Sequence, residues 1–139
     1  VTDPELLQKR LAFVATCLED LRRLARVDAL ETDVRERRFV EHTLQLAIQA
    51  ALDVASHLVA AKRLEEPRTN RELFERLGEA GLVDRDLAGL LGDMAGFRNV
   101  LVHGYTEVDL DIVRDVVANR LGDLDAFVKT VRTLLASGM

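Results

Sequence analysis

The last third of the chain carries the feature that most narrows its fold. Leu110, Val113, Val117, Leu121, Leu124, Val128, Val131 and Leu135 recur at intervals of three and four residues. That is the spacing of one side of a helix, whereas a half-buried strand would alternate every second residue. Leu7, Leu11, Val14, Leu18, Leu21 and Ala25 repeat the pattern near the start, and Val40, Leu44, Ala47, Ala51, Val54, Leu58 and Ala61 repeat it again. Three such seams call for helices packed on helices. With 48% apolar residues but 4% aromatic and no Trp, the core must be built from Leu, Val and Ala. The expected fold is therefore all-α, a four- to five-helix up-and-down bundle. Ile112, Val116, Phe127 and Leu134 widen the last seam beyond what one neighbour needs, which predicts a bundle that also pairs with a second copy.

Cap residues divide the chain. Thr2 or Asp3 followed by Pro4 opens a helix of about residues 4–26, and Thr32-Asp33 opens a long one of about 33–64. Pro67-Arg68-Thr69-Asn70 is the clearest break. Thr69-Asn70-Arg71-Glu72 then reads as a capping box for a short helix that stops near Gly78 or Gly81. Asp84 caps the next helix and Asp109 the last. Gly92 and Gly96 leave one side of the fourth helix almost bare, where another backbone has room to approach. No repeat, low-complexity tract or linker interrupts residues 1–139, so the chain reads as one domain.

Charge and cysteine usage exclude several classes. A net charge of −5 counts against a general nucleic-acid coat protein, although a single basic cleft remains compatible with it. The single Cys17 has no partner for an intrachain disulfide and reads as a small buried apolar residue suited to a reducing cytoplasm. No leader pattern and no uncharged run of membrane-spanning length is present, so a cytoplasmic protein without a membrane partner is expected.

Chemistry concentrates in Arg98-Asn99-Val100-Leu101-Val102-His103-Gly104-Tyr105. Arg98 falls within an apolar stripe of Leu87, Leu90, Leu91, Met94, Phe97 and Leu101. A guanidinium there must snorkel, pair with a carboxylate or line a cleft. Asp53, on the flank of the second seam, is the candidate counter-charge. Asn99 and His103 fall on the opposite side, so Arg98 and His103 point about 140° apart on a straight helix. They share a site if the helix ends near Val102, where Gly104 can cap it, or if two chains each supply one residue. The bland alternative is a hydrogen-bonded helix terminus.

These residues resemble the HEPN domains, whose signature is Arg-(polar)-x-x-x-His. Arg98, Asn99, His103 and Tyr105 together are similar to the Arg-x4-His-x-Tyr of the HepT toxins of toxin–antitoxin pairs. The motif's place before the last helix of a small helical chain extends the likeness over essentially its whole length. Some HepT proteins have Asp where this chain has Gly104. The resemblance implies the toxin of a type VII system and a metal-independent endoribonuclease with no cofactor. His103 would remove the proton of a ribose 2′-hydroxyl, which attacks the adjacent phosphate. Arg98 would hold that phosphate, and Asn99 would orient either group. Chemistry through the 2′-hydroxyl implies RNA and not DNA as substrate. The family further implies a homodimer with both motifs facing one cleft. It implies an MntA-type nucleotidyltransferase antitoxin that attaches AMP to Tyr105. An unperturbed phenol titrates near 10, so Tyr105 is a poor general base and a better acceptor.

Two rivals are testable. A di-metal carboxylate bundle needs Glu-x-x-His pairs; no histidine here has an acid three residues earlier, and Glu107, Asp109 and Asp111 beside His103 read as helix-start acids. His57, four residues after Asp53, likewise reads as part of a surface or core-edge pair. The second rival is a non-enzymatic helical module that docks a nucleotidyltransferase, with the motif as docking or modification site.

Overall fold

A computed structural model of the chain describes residues 3–103 and 108–138. Its elements are α1 (Pro4–Leu24), a 3-10 turn at Val27–Ala29, α2 (Val34–Ala61), α3 (Asn70–Glu79), α4 (Arg85–His103), α5 (Leu110–Asp115), a π-helical turn at Val116–Arg120 and α6 (Leu121–Ala136). Because α5, the π turn and α6 follow without a break, the described residues form a five-rod helical bundle.

The caps act as their chemistry requires. The Asp3 carboxylate accepts from the Leu6 amide at 3.1 Å with Pro4 at the first helical position. Asp33 accepts from Arg35 and Glu36 at 2.9 and 3.3 Å, Thr69 from Glu72 at 3.2 Å, and Asp109 from Asp111 at 2.9 Å. Helix α3 ends through Gly81 at φ 75°, with the Leu82 amide on the Leu77 carbonyl and the Gly81 amide on the Gly78 carbonyl. The same pair of bonds closes α2, from Leu64 to Val59 and from Arg63 to Ala60, but there the left-handed position belongs to Arg63 at φ 53°. This end comes at Ala61, the last residue of the seam and a few residues before the expected end near 64.

Helix α2 touches α1, α3, α4 and α6 and forms the centre of the bundle. Ala47, Ala50, Ala51 and Ala55 on it are buried, and such small side chains let neighbouring helices come close. By length and composition α2 is apolar enough to cross a membrane. Its buried residues instead face the protein's own core. Helices α3 and α4 approach so closely that a Cβ at Gly78 would meet the Ala88 Cβ at 2.8 Å. Phe74 of α3 meets Phe127 of α6 edge to face, ring centroids 5.5 Å apart. Cys17 is buried as a free thiol.

The terminal rod departs from expectation in two ways. It is not one regular helix: the π turn places Val116 and Leu121, five residues apart, on the core side, while Val117 of the expected seam is half-buried. Nor is its extra apolar surface all spare. Phe127 and Val116 are buried inside the chain, Leu134 is half-buried, and Ile112 alone of the four is exposed. Arg114 holds the rod's start by donating to the Val27 carbonyl at 3.1 Å and pairing with Glu31, and Arg22 pairs with Asp125 farther along.

Candidate phosphate-handling site at the end of the fourth helix

Helix α4 begins just after Asp84, whose carbonyl accepts from the Ala88 amide at 2.8 Å. It runs helically through both Arg98 and His103. The helix ends at His103, one residue past the end near Val102 that the sequence suggests, with His103 its last described residue. At 100° per residue the two side chains leave the axis about 140° apart.

Arg98 is half-buried, on the apolar side with buried Met94 and half-buried Phe97 and Leu101. Its Nη1 makes a long 3.4 Å bond to the Asn99 Oδ1. Its Nε is buried and has no hydrogen-bond partner among the described residues. A buried donor left in this way is costly, typically by about 1–3 kcal/mol, so the position suits an anion that would accept from it. The expected counter-charge is engaged elsewhere. Asp53 accepts from Gln49 Nε2 at 2.9 Å, and no ion pair joins it to Arg98 among the described residues. Gln49 lies one turn away on the same helix, so the bond forms locally. His57 is exposed.

Asn99 and His103 are exposed on the far side of α4. Gly104 and Tyr105, with Thr106 and Glu107, lie outside the described residues. Among the described residues no three His, Cys, Asp or Glu side chains gather as metal ligands.

One turn before Arg98, a cleft of about 180 Å³ opens between α4 and the terminal rod, lined by Leu90, Met94, Phe97, Val116 and the carboxylates of Asp93 and Asp123. Burial pushes the Asp123 carboxyl above the usual range and the Asp93 charge adds to this, with Arg120 opposing. The Asp123 Oδ2 is buried without a partner among the described residues.

Reading from sequence missed Arg71. The bare side of α4 is occupied by this side chain and not by another backbone. A Cβ at Gly92 would meet the Arg71 Cγ and Nη1 at 3.1 Å, and one at Gly96 would meet its Nη2 at 3.5 Å. Arg71 Nη1 also donates to Asp93 Oδ1 at 2.9 Å. The Gly92–Gly96 spacing was the available signal, since a stripe without side chains marks a close neighbour.

An arginine Nε without a partner among the described residues and an exposed histidine on the last turns of one helix are the side-chain types that a phosphate site would use. The sequence profile described as "Ribonuclease HepT-like" matches residues 14–131, and the chain belongs to that family of ribonucleases. It is 27% identical over 129 residues to the mRNA nuclease HepT of Shewanella oneidensis, covering 92% of this chain and 97% of that protein. It is 26% identical over 135 residues to the tRNA nuclease HepT of Aphanizomenon flos-aquae, covering 96% and 92%. Among solved structures, the tri-AMPylated Shewanella oneidensis HEPN toxin in complex with its MNT antitoxin superposes with a TM-score of 0.86 at 27% identity, over 96% of this chain and 99% of that one.

Proposed function

We propose that this chain is the toxin of a HepT/MntA-type pair and cleaves RNA without a metal, through the 2′-hydroxyl. The observation that carries the reading is Arg98: a half-buried guanidinium whose Nε lacks an acceptor, on the same last turns of α4 as His103. The His103 imidazole takes the 2′-hydroxyl proton while the 2′-oxygen forms a bond to phosphorus. The bond from phosphorus to the 5′-oxygen breaks, water supplies that oxygen with its proton, and a 2′,3′-cyclic phosphate remains. Arg98 donates to the non-bridging oxygens, whose charge grows in the transition state. Asn99, already bonded to Arg98, holds the guanidinium in place. Asp53 is assigned no step, its carboxylate being held by Gln49.

The active form in this reading is a homodimer. Two copies bring Arg98 of one chain to His103 of the other across a single cleft, which one straight helix cannot do. Exposed Val100 and Ile112, close to the motif, supply apolar surface for such a contact. The partner is a nucleotidyltransferase antitoxin, as in the complex of the Shewanella toxin, and Tyr105 is the acceptor of AMP. The test is cleavage of RNA by the purified protein in EDTA, with products analysed for cyclic-phosphate ends. A strand with 2′-deoxyribose at the cleaved position should resist. Activity that requires a divalent cation, or that cuts the deoxy strand, would refute the mechanism.

A further inference from the structure

We infer that Arg71 is a second phosphate-binding residue of the RNA track, holding the strand at a phosphate other than the one that reacts. The inference rests on the ribonuclease reading above and extends it along α4. Gly92, Gly96, Asn99 and His103 fall within about 60° of one another around that helix. Arg71 reaches over from α3 and lies along this side. Its Cγ and Nη1 sit above Gly92 and its Nη2 lies nearer Gly96, so the fork advances towards the His103 end. Nη1 is held by Asp93; Nη2 has no hydrogen-bond partner among the described residues. The side chain is 47% exposed, open to a ligand.

Seven residues separate Gly96 from His103, a rise of about 10 Å. With its fork held about two turns before His103, Arg71 is placed for a neighbouring phosphate of the same strand. Successive phosphates of one strand advance by about 3.4 Å in a duplex and farther in an extended strand, so the gap corresponds to a few nucleotides. Exposed Asn99 lies between Gly96 and His103 along this side.

Stability does not explain the arrangement. An exposed ion pair such as Arg71–Asp93 is worth about 0–1 kcal/mol, whereas each helix-interior glycine costs about 1 kcal/mol relative to alanine. Only Gly92 must lack a side chain, a Cβ at Gly96 being at ordinary contact distance, and the Gly92 cost of about 1 kcal/mol is no less than the ion pair returns. A guanidinium laid flat beside the catalytic side of the helix, with one nitrogen held and the other open, is suited to forked recognition of a phosphate. Asp93 keeps it in place until RNA arrives.

The test measures binding of a labelled single-stranded RNA to the full chain carrying His103→Ala, which leaves the RNA uncut. Adding Arg71→Ala should weaken binding about tenfold at low salt and lower the slope of log Kd against log salt by about 0.7. Arg71→Lys should keep the slope while losing part of the affinity. Asp93→Asn, which frees Nη1, should tighten binding, whereas a purely structural pair would respond in the same direction to loss of either partner. In cleavage assays with His103 intact, Arg71→Ala should raise KM for a long RNA with kcat unchanged. It should be indistinguishable from the parent on a dinucleotide, which has only the reacting phosphate. Unchanged affinity and slope in Arg71→Ala, while Arg98→Ala loses affinity, overturn this inference and leave the ribonuclease reading standing. Failure of the His103→Ala protein to bind RNA at all overturns both.

Discussion

Arg98 and His103 lie on one unbroken helix but face away from each other, about 140° apart around α4. If each active site joins Arg98 of one chain to His103 of another, two inactive variants should complement. Mixed after dissociation and reassociation, Arg98→Ala and His103→Ala chains form heterodimers with one intact site, and about a quarter of wild-type activity should return. A site formed within one chain regains nothing. Light scattering on the wild-type protein checks the premise, and a monomer at working concentration would remove it.

Single variants should separate the two roles. Loss of a general base typically costs about 10²–10⁴-fold in rate, so His103→Ala should fall by that order with RNA binding retained. Arg98→Ala should lose both rate and affinity, because the guanidinium contacts the phosphate before and during reaction. Activity of both variants and the parent should decline as salt rises. Circular dichroism should stay helical for each, since neither residue belongs to the buried core. Full activity in His103→Ala would remove it from the chemistry.

Tyr105 tests the partner. Co-expression with a cognate nucleotidyltransferase should add AMP to Tyr105 and suppress RNA cleavage. The adduct brings a phosphate that competes with RNA for Arg98 and a base that fills the cleft. Tyr105→Phe should fold normally, stay unmodified and remain toxic beside that partner. Intact-mass measurement decides: wild-type protein neutralised without a mass gain would mean inhibition by binding alone.

Much of the bundle was legible because apolar spacing and cap chemistry are local signals. Asp3, Asp33, Thr69 and Asp109 each cap where the sequence places a start. Gly81 announced the end of α3, but α2 ends through Arg63, a residue with no reputation for left-handed backbone. The π turn escaped for a different reason. One extra residue in a turn changes which valine faces inward without changing the composition of the seam. At the site, the motif could be read, whereas the Gly92–Gly96 spacing signals a close neighbour without saying that it is Arg71, which depends on how α3 crosses α4.

The Arg63 geometry has a stability consequence. A non-glycine residue in the left-handed region costs about 1 kcal/mol or somewhat more, and glycine removes that cost while gaining freedom in the unfolded chain. Arg63→Gly should therefore stabilise by about 0.5–1 kcal/mol, visible as a shift of roughly 2–6 °C in Tm. A lower Tm would show that the Arg63 side chain contributes more than its backbone costs.

Asp123 provides the pH-dependent prediction. Its carboxyl is raised chiefly by burial, against the opposing pull of Arg120, with the Asp93 charge adding a smaller push upward. An acid with a raised folded-state value favours folding while protonated. Its stabilising contribution is complete below the ordinary carboxylate range and is lost as pH rises through the raised value. At neutral pH the ionised group thus works against the fold, with Oδ2 buried and unpartnered among the described residues. Asp123→Asn stays neutral at every pH and keeps the shape. It should raise Tm at neutral pH by about 1–3 °C, and the difference from wild type should shrink as pH falls and vanish only below the ordinary carboxylate range, at about pH 3. The comparison must be made as a difference between the two proteins, because other carboxylates titrate in the same range. An equal gain at both pH values would mean that the asparagine amide stabilises by a new hydrogen bond. Destabilisation at neutral pH would mean that the attraction between Asp123 and Arg120 outweighs burial.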